Sequence, residues 1–195
     1  MQHMSTKRLV LYALFIGLIF FLGLTPWGLS PLGFINVTVL CIPTIVGTLV
    51  LGIKAGFLFG FFFGTASLMS VLGLSMVPPS MLAGALLAQN PLFAVLMCYV
   101  PRLLVPVTTY LVYRLLNRDG TPKRLSAIPA AVAGSLTNTI FYLGLMLLFY
   151  SLSGLDYTPV LTIIGGAGII AGTTEAIAAA VIATPTVIAL NKLVK

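Results

Sequence analysis

Charge is what this sequence lacks. Among 195 residues there are ten Lys or Arg and three Asp or Glu, 7% in all. A soluble domain carries about 25%. So few charges cannot cover a water-exposed surface, and a soluble globular fold is excluded. Histidine is nearly missing: His3, in the N-terminal tail, is the single one. A serine–histidine dyad or a histidine-bearing metal centre has no parts in the apolar bulk of the chain. The three acids stand far apart, at Asp119, Asp156 and Glu175, so two-carboxylate hydrolysis lacks its pair. There is no G-x-x-x-x-G-K-[ST] phosphate cradle and no G-x-S-x-G elbow. The expectation is no enzymatic activity, no metal and no cofactor. The net charge of +7 includes no run of five basic residues, which argues against a nucleic-acid partner. Cys41 and Cys98 lie in apolar runs without CxxC spacing and read as small core residues.

Apolar residues are what the chain has, at 59% with a mean hydropathy of +1.15. A spanning helix needs about 20 such residues, so the length holds about six spans and little else. Proline and glycine breaks place helices at about 9–24, 37–51, 55–72, 92–116, 126–150 and 160–193. The predicted fold is all-α, a single six-helix membrane domain over 1–195. No A-x-A cleavage pattern follows the apolar run from Leu9, so the first helix reads as retained. Lys7, Arg8, Lys54, Arg114, Arg118, Lys123, Arg124, Lys192 and Lys195 all fall on one side of six spans, together with Asp119. The loops around Trp27, Pro78 and Asp156 fall on the other and hold no Lys or Arg. The positive-inside rule then puts both termini in the cytoplasm. Trp27 and Tyr157 fit an aromatic belt at the outer interface.

Arg102 and Glu175 remain inside the predicted spans. An intramembrane charge costs at least ~2.5 kcal/mol, so each requires a partner or a function. At 1.5 Å per residue, Arg102 lies about 18 Å from the level of Arg114, Asn138 about 21 Å from Arg124 and Glu175 about 25 Å from Lys192. Three polar groups thus share a depth in the outer half. They form either a structural Arg–Glu pair with Asn138 as glue between helices, or a polar pocket in which Arg102 takes an anionic or carbonyl-bearing ligand. Asn36, Asn90, Tyr99 and Tyr142 lie toward the same outer side. Small residues recur at helical spacing: Ala13 and Gly17; Gly56, Gly60 and Gly64; Ala130 and Gly134; Gly168 and Gly172. Each makes a flat stripe for another helix, and the last three sets read as packing within the chain.

The stretches Phe34–Thr38, Ile42–Gly47, Leu51–Gly56 and Gly60–Gly64, with Pro101-Arg102, Ser135–Thr139 and Glu175, resemble a known family. It is the substrate-binding S component of energy-coupling factor (ECF) vitamin transporters, nearest the pantothenate-type branch. The resemblance covers nearly the whole chain. It implies capture of a vitamin from outside a bacterial plasma membrane, and association with a transmembrane coupling protein and two ATPases, which hydrolyse the ATP. It implies docking through a small-residue motif on the first helix, usually Ala-x-x-x-Ala. Here Ala13 matches and Gly17 departs from it while keeping the surface flat. It further implies a pocket in the outer loops and outer halves of the last three spans, which takes in Asn90, Tyr99, Arg102, Asn138, Tyr142 and Glu175. Pantothenate is the expected vitamin, with cobalamin or riboflavin as alternatives. A proton-coupled secondary transporter using Glu175 is the rival from another class. A purely structural membrane subunit is a third reading.

Overall fold

The computed structural model describes residues 6–31, 36–118 and 123–194. His3, Asp119 and Lys195, discussed above, lie outside the described residues, as do Phe34 and Ile35. The elements run α1 (Thr6–Leu24), β1 (Leu29–Pro31), β2 (Asn36–Thr38), α2 (Cys41–Leu51), α3 (Ile53–Val71), α4 (Met81–Gln89), α5 (Pro91–Arg118), α6 (Lys123–Leu152), α7 (Thr158–Gly165) and α8 (Ala167–Val194). α1, α3, α5, α6 and α8 are long and apolar enough to cross a membrane, and α2 is a shorter apolar helix.

Two boundaries depart from expectation. The second helix begins at Cys41, not at residue 37, because residues 36–38 are extended. They pair antiparallel with β1, Leu29 opposite Thr38 and Pro31 opposite Asn36. The helical fold therefore carries one small ribbon. The last predicted helix is two, parted at Gly166, whose φ of −125° and ψ of −96° leave the helical region. The prolines of α5 do not end it: Pro101 and Pro106 both sit inside one continuous helix. α4 occupies the stretch before Pro91, and Ser80 caps it by accepting from the Ala83 N–H at 3.5 Å.

Gly52, at φ +92°, turns α2 directly into α3. That positive φ is open to glycine and disfavoured for residues with a Cβ. α3 then shows two different faces. On one, Phe59 meets Tyr12 and Phe15 of α1 at ring-centre distances of 5.5 and 5.4 Å, and Phe62 meets Phe20 at 5.7 Å. On the other, Gly56, Gly60 and Gly64 let α5 approach. A Cβ on Gly60 would lie 2.6 Å from the Arg102 carbonyl oxygen, and one on Gly64 2.6 Å from Tyr99 Cδ1. A Cβ on Gly56 would lie 2.7 Å from Pro106 Cβ. The expected packing of this stripe within the chain is what the structure has.

The buried side chains form two apolar clusters. One joins α1, α2 and α3 to Val105 of α5, Ala127, Ala130 and Ala131 of α6, and Ala179, Ala183 and Val187 of α8. The other gathers Leu82 and Leu86 of α4, Met97 of α5, Leu143 and Met146 of α6, and Val160 and Ile163 of α7. Phe93 stacks on Phe149 at 4.6 Å in that second region, and the Tyr150 hydroxyl donates to the Leu82 carbonyl at 2.6 Å. Along α5 and α6 the boundary between the clusters falls at Arg102 and Asn138, and on α8 Glu175 lies one turn before the first cluster begins at Ala179.

The Gly60 contact gives a test of the α3–α5 seam. Gly60→Val is expected to destabilise the fold by about 1–3 kcal/mol, because the close backbone must part. Gly17→Ala is expected to cost almost nothing, since a Cβ there meets nothing within 4 Å. Thermal unfolding of the two variants in detergent measures the difference.

Candidate functional site

The polar residues at the cluster boundary come from four helices. Arg102 (α5) is 5% exposed, Asn138 (α6) 6% and Glu175 (α8) 7%. Cys41 opens α2 beside them, its Sγ 4.0 Å from Ser135 Oγ, and feels the field of both Arg102 and Glu175.

Arg102 is held on three sides. Its Nη1 donates to the Met97 carbonyl at 3.0 Å. Its guanidinium carbon lies 4.6 Å from the centre of the Tyr142 ring and 5.2 Å from that of Phe63. Desolvated cation–π contacts of this kind contribute up to about 2 kcal/mol. The Nε is buried and makes no hydrogen bond. Asn138 lies one helical turn before Tyr142 on α6, and its Oδ1 is likewise buried without a partner. An orphaned donor on α5 and an orphaned acceptor on α6 therefore lie on two helices packed against each other. Unsatisfied buried polar atoms cost about 1–3 kcal/mol each, so their persistence calls for an explanation. Glu175 accepts from the Thr139 hydroxyl at 3.1 Å.

Of the residues predicted from sequence, Arg102, Asn138, Tyr142 and Glu175 come together in this layer. Tyr99 does not point into it. Its hydroxyl shares a hydrogen bond of 3.0 Å with Thr65 Oγ1, and its ring lies 5.5 Å from Phe61, on α3. Asn90 is spent on the chain itself: its Oδ1 accepts from the N–H groups of Leu92 and Phe93 and caps α5. Asn36 falls in β2, and its side chain lies outside what is described. Ala13 and Gly17 are exposed on α1, away from the polar layer. Their face continues through Val10, Leu14, Leu18 and Phe21, all exposed. Thr139, Ser135, Phe63 and the Met97 carbonyl were missed. Ser135 and Thr139 flank Asn138 at helical spacing, which is a signal the sequence offers.

One apolar groove of about 340 Å³ lies between α1, α2 and α8, and another of about 350 Å³ between α6 and α8 reaches Thr139. Neither includes Arg102, Asn138 or Glu175 in its lining. A site for a polar solute needs a few convergent polar groups, and the buried layer has them. Tyr142→Phe keeps the ring under the guanidinium and is expected to leave stability almost unchanged. Tyr142→Leu removes it and is expected to cost about 1–2 kcal/mol. Thermal unfolding of both variants tests the contact.

Comparison with known proteins fits this arrangement. Residues 7–187 match the family described as "ECF transporter, substrate-specific component". The pantothenic acid transporter PanT of Lactococcus lactis subsp. cremoris (strain MG1363) is 27% identical over 206 residues, covering 98% of this chain and 97% of its own. With five membrane-length helices around a buried Arg–Asn–Glu layer, the chain belongs to the substrate-specific components of ECF transporters and is a subunit of a multi-pass membrane transporter.

Proposed function

We propose that the chain captures pantothenate from the outer side of a bacterial plasma membrane and delivers it inward as the S component of an ATP-driven importer. The observation that carries this reading is the pair of orphaned atoms, Arg102 Nε and Asn138 Oδ1. A ligand that fills both must bring an anion or carbonyl for the first and a hydroxyl or N–H for the second. Pantothenate carries a carboxylate, two hydroxyls and an amide N–H on one small skeleton. The relative named for pantothenic acid supports the choice over riboflavin and cobalamin.

Orientation follows from charge. Lys7, Arg8, Lys54, Arg114, Arg118, Lys123, Arg124 and Lys192 sit at helix ends. With α2 counted as a sixth, short span, all of these ends share one side, and the termini are cytoplasmic. α4 and α7 then cover the outer end of α5 and α6, above the polar layer. The exposed α1 stripe around Ala13 and Gly17 is the docking face for a transmembrane coupling protein. Two ATPases complete the assembly and supply the energy.

Three measurements test the reading. Purified protein screened against vitamins is expected to bind pantothenate, and Arg102→Ala is expected to weaken that binding at least tenfold, the loss of one charge-assisted hydrogen bond. Normal pantothenate affinity in a folded Arg102→Ala variant removes the arginine from the site. Replacing Ala13 and Gly17 with Leu is expected to abolish uptake by cells while leaving ligand binding unchanged. Uptake driven by a proton gradient in cells without the ATPases would instead favour a secondary transporter.

A further inference from the structure

Proline has no N–H, so within a helix the carbonyl four residues before it loses its partner. In α5, Pro101 withholds that bond from Met97, and Pro106 withholds it from Arg102. At membrane depth a freed carbonyl must be satisfied by something other than water. The two carbonyls meet different fates. That of Arg102 lies against α3, 2.6 Å from where a Cβ on Gly60 would be. That of Met97, a fully buried residue, accepts from Arg102 Nη1 at 3.0 Å. The guanidinium that fills the vacancy thus belongs to the residue next to the proline that makes it.

A guanidinium is a rigid planar fork. Fixing Nη1 on Met97 and the plane against Tyr142 leaves little freedom for the rest. The edge that remains unused is Nε, buried and without a hydrogen bond. We propose that Pro101 is a positioning residue for ligand recognition: by withholding its N–H from Met97, it draws Arg102 back along α5 and keeps the Nε edge open for a ligand anion. This rests on the reading that Arg102 meets the carboxylate of the ligand. With any other residue at 101, the backbone N–H competes for the Met97 carbonyl and weakens the anchor of the guanidinium.

The test compares two ligands on the full-length chain in lipid nanodiscs by calorimetry. One is pantothenate. The other is panthenol, in which a neutral alcohol replaces the carboxylate. The native protein is expected to prefer pantothenate by about tenfold to a hundredfold, the range of one charge-assisted hydrogen bond. Pro101→Ala restores the N–H, and the preference is expected to collapse to about threefold or less, with panthenol affinity near native. Pro101→Gly restores the same N–H without stiffening the bend and is expected to shift the ratio the same way. A proline that matters only for folding would weaken both ligands equally and leave the ratio intact, and that result overturns the proposal. Native protein that binds both ligands equally overturns the carboxylate reading and the proposal with it. Native protein that discriminates, alongside two variants that still discriminate, removes Pro101 alone.

Discussion

The close approach of α3 and α5 is the constraint on which the rest depends. Gly60 carries no Cβ, so the α5 backbone at Arg102 comes within touching distance of α3. That stretch of α5 lies between two prolines and is short of internal hydrogen bonds. A helix so weakened is exposed to bending unless something fixes it. The glycine stripe fixes it at three levels, against Tyr99, Arg102 and Pro106. Dispersion falls steeply with separation, so the shorter distance strengthens every neighbouring contact along the seam. The same seam brings Phe63 to the guanidinium.

The polar layer is affordable because of where it sits. Arg102 and Asn138 fall between the two apolar clusters along their helices, and Glu175 lies at the edge of the first; none interrupts either cluster. An intramembrane arginine costs at least ~2.5 kcal/mol. A carbonyl and two aromatic faces offset part of that. These contacts hold the guanidinium in a fixed place while it is out of water.

Depth was legible in the sequence and direction was not. Counting residues from the nearest basic helix end placed Arg102, Asn138 and Glu175 at one level, and in the structure all three are buried. The same counting placed Tyr99 with them, but a position along a helix does not say which way a side chain points. Tyr99 turns to Thr65 on α3. Asn90, just before a helix start at about residue 92, was legible as a cap as well as a pocket residue, and its Oδ1 does cap α5. The second helix, expected from residue 37, lost Val37 and Thr38 to a ribbon because a β-branched pair beside an apolar run extends a neighbouring helix when read by hydropathy alone. The break at Gly166 lies inside the single helix expected over 160–193, although the consecutive glycines at 165 and 166 signal it. Thr139 escaped because threonines in such helices usually bond their own backbone, as Thr137 does to Ala133.

The two faces of α3 also bear on how α1 and the polar layer relate. α1 packs chiefly on α3, through tilted aromatic rings, whereas α5 packs on the opposite, glycine face. Aromatic pairs at 5.4 and 5.5 Å tolerate some sliding, because offset geometries differ little in energy. A glycine seam with backbone against backbone tolerates much less, since any shift drives atoms into contact. A displacement of α1 therefore meets its compliant joint at the aromatic face, while the glycine seam ties α5 to α3. On the proposal that α1 carries a docking face, this division lets α1 adapt to a partner while Arg102 keeps its place against α3.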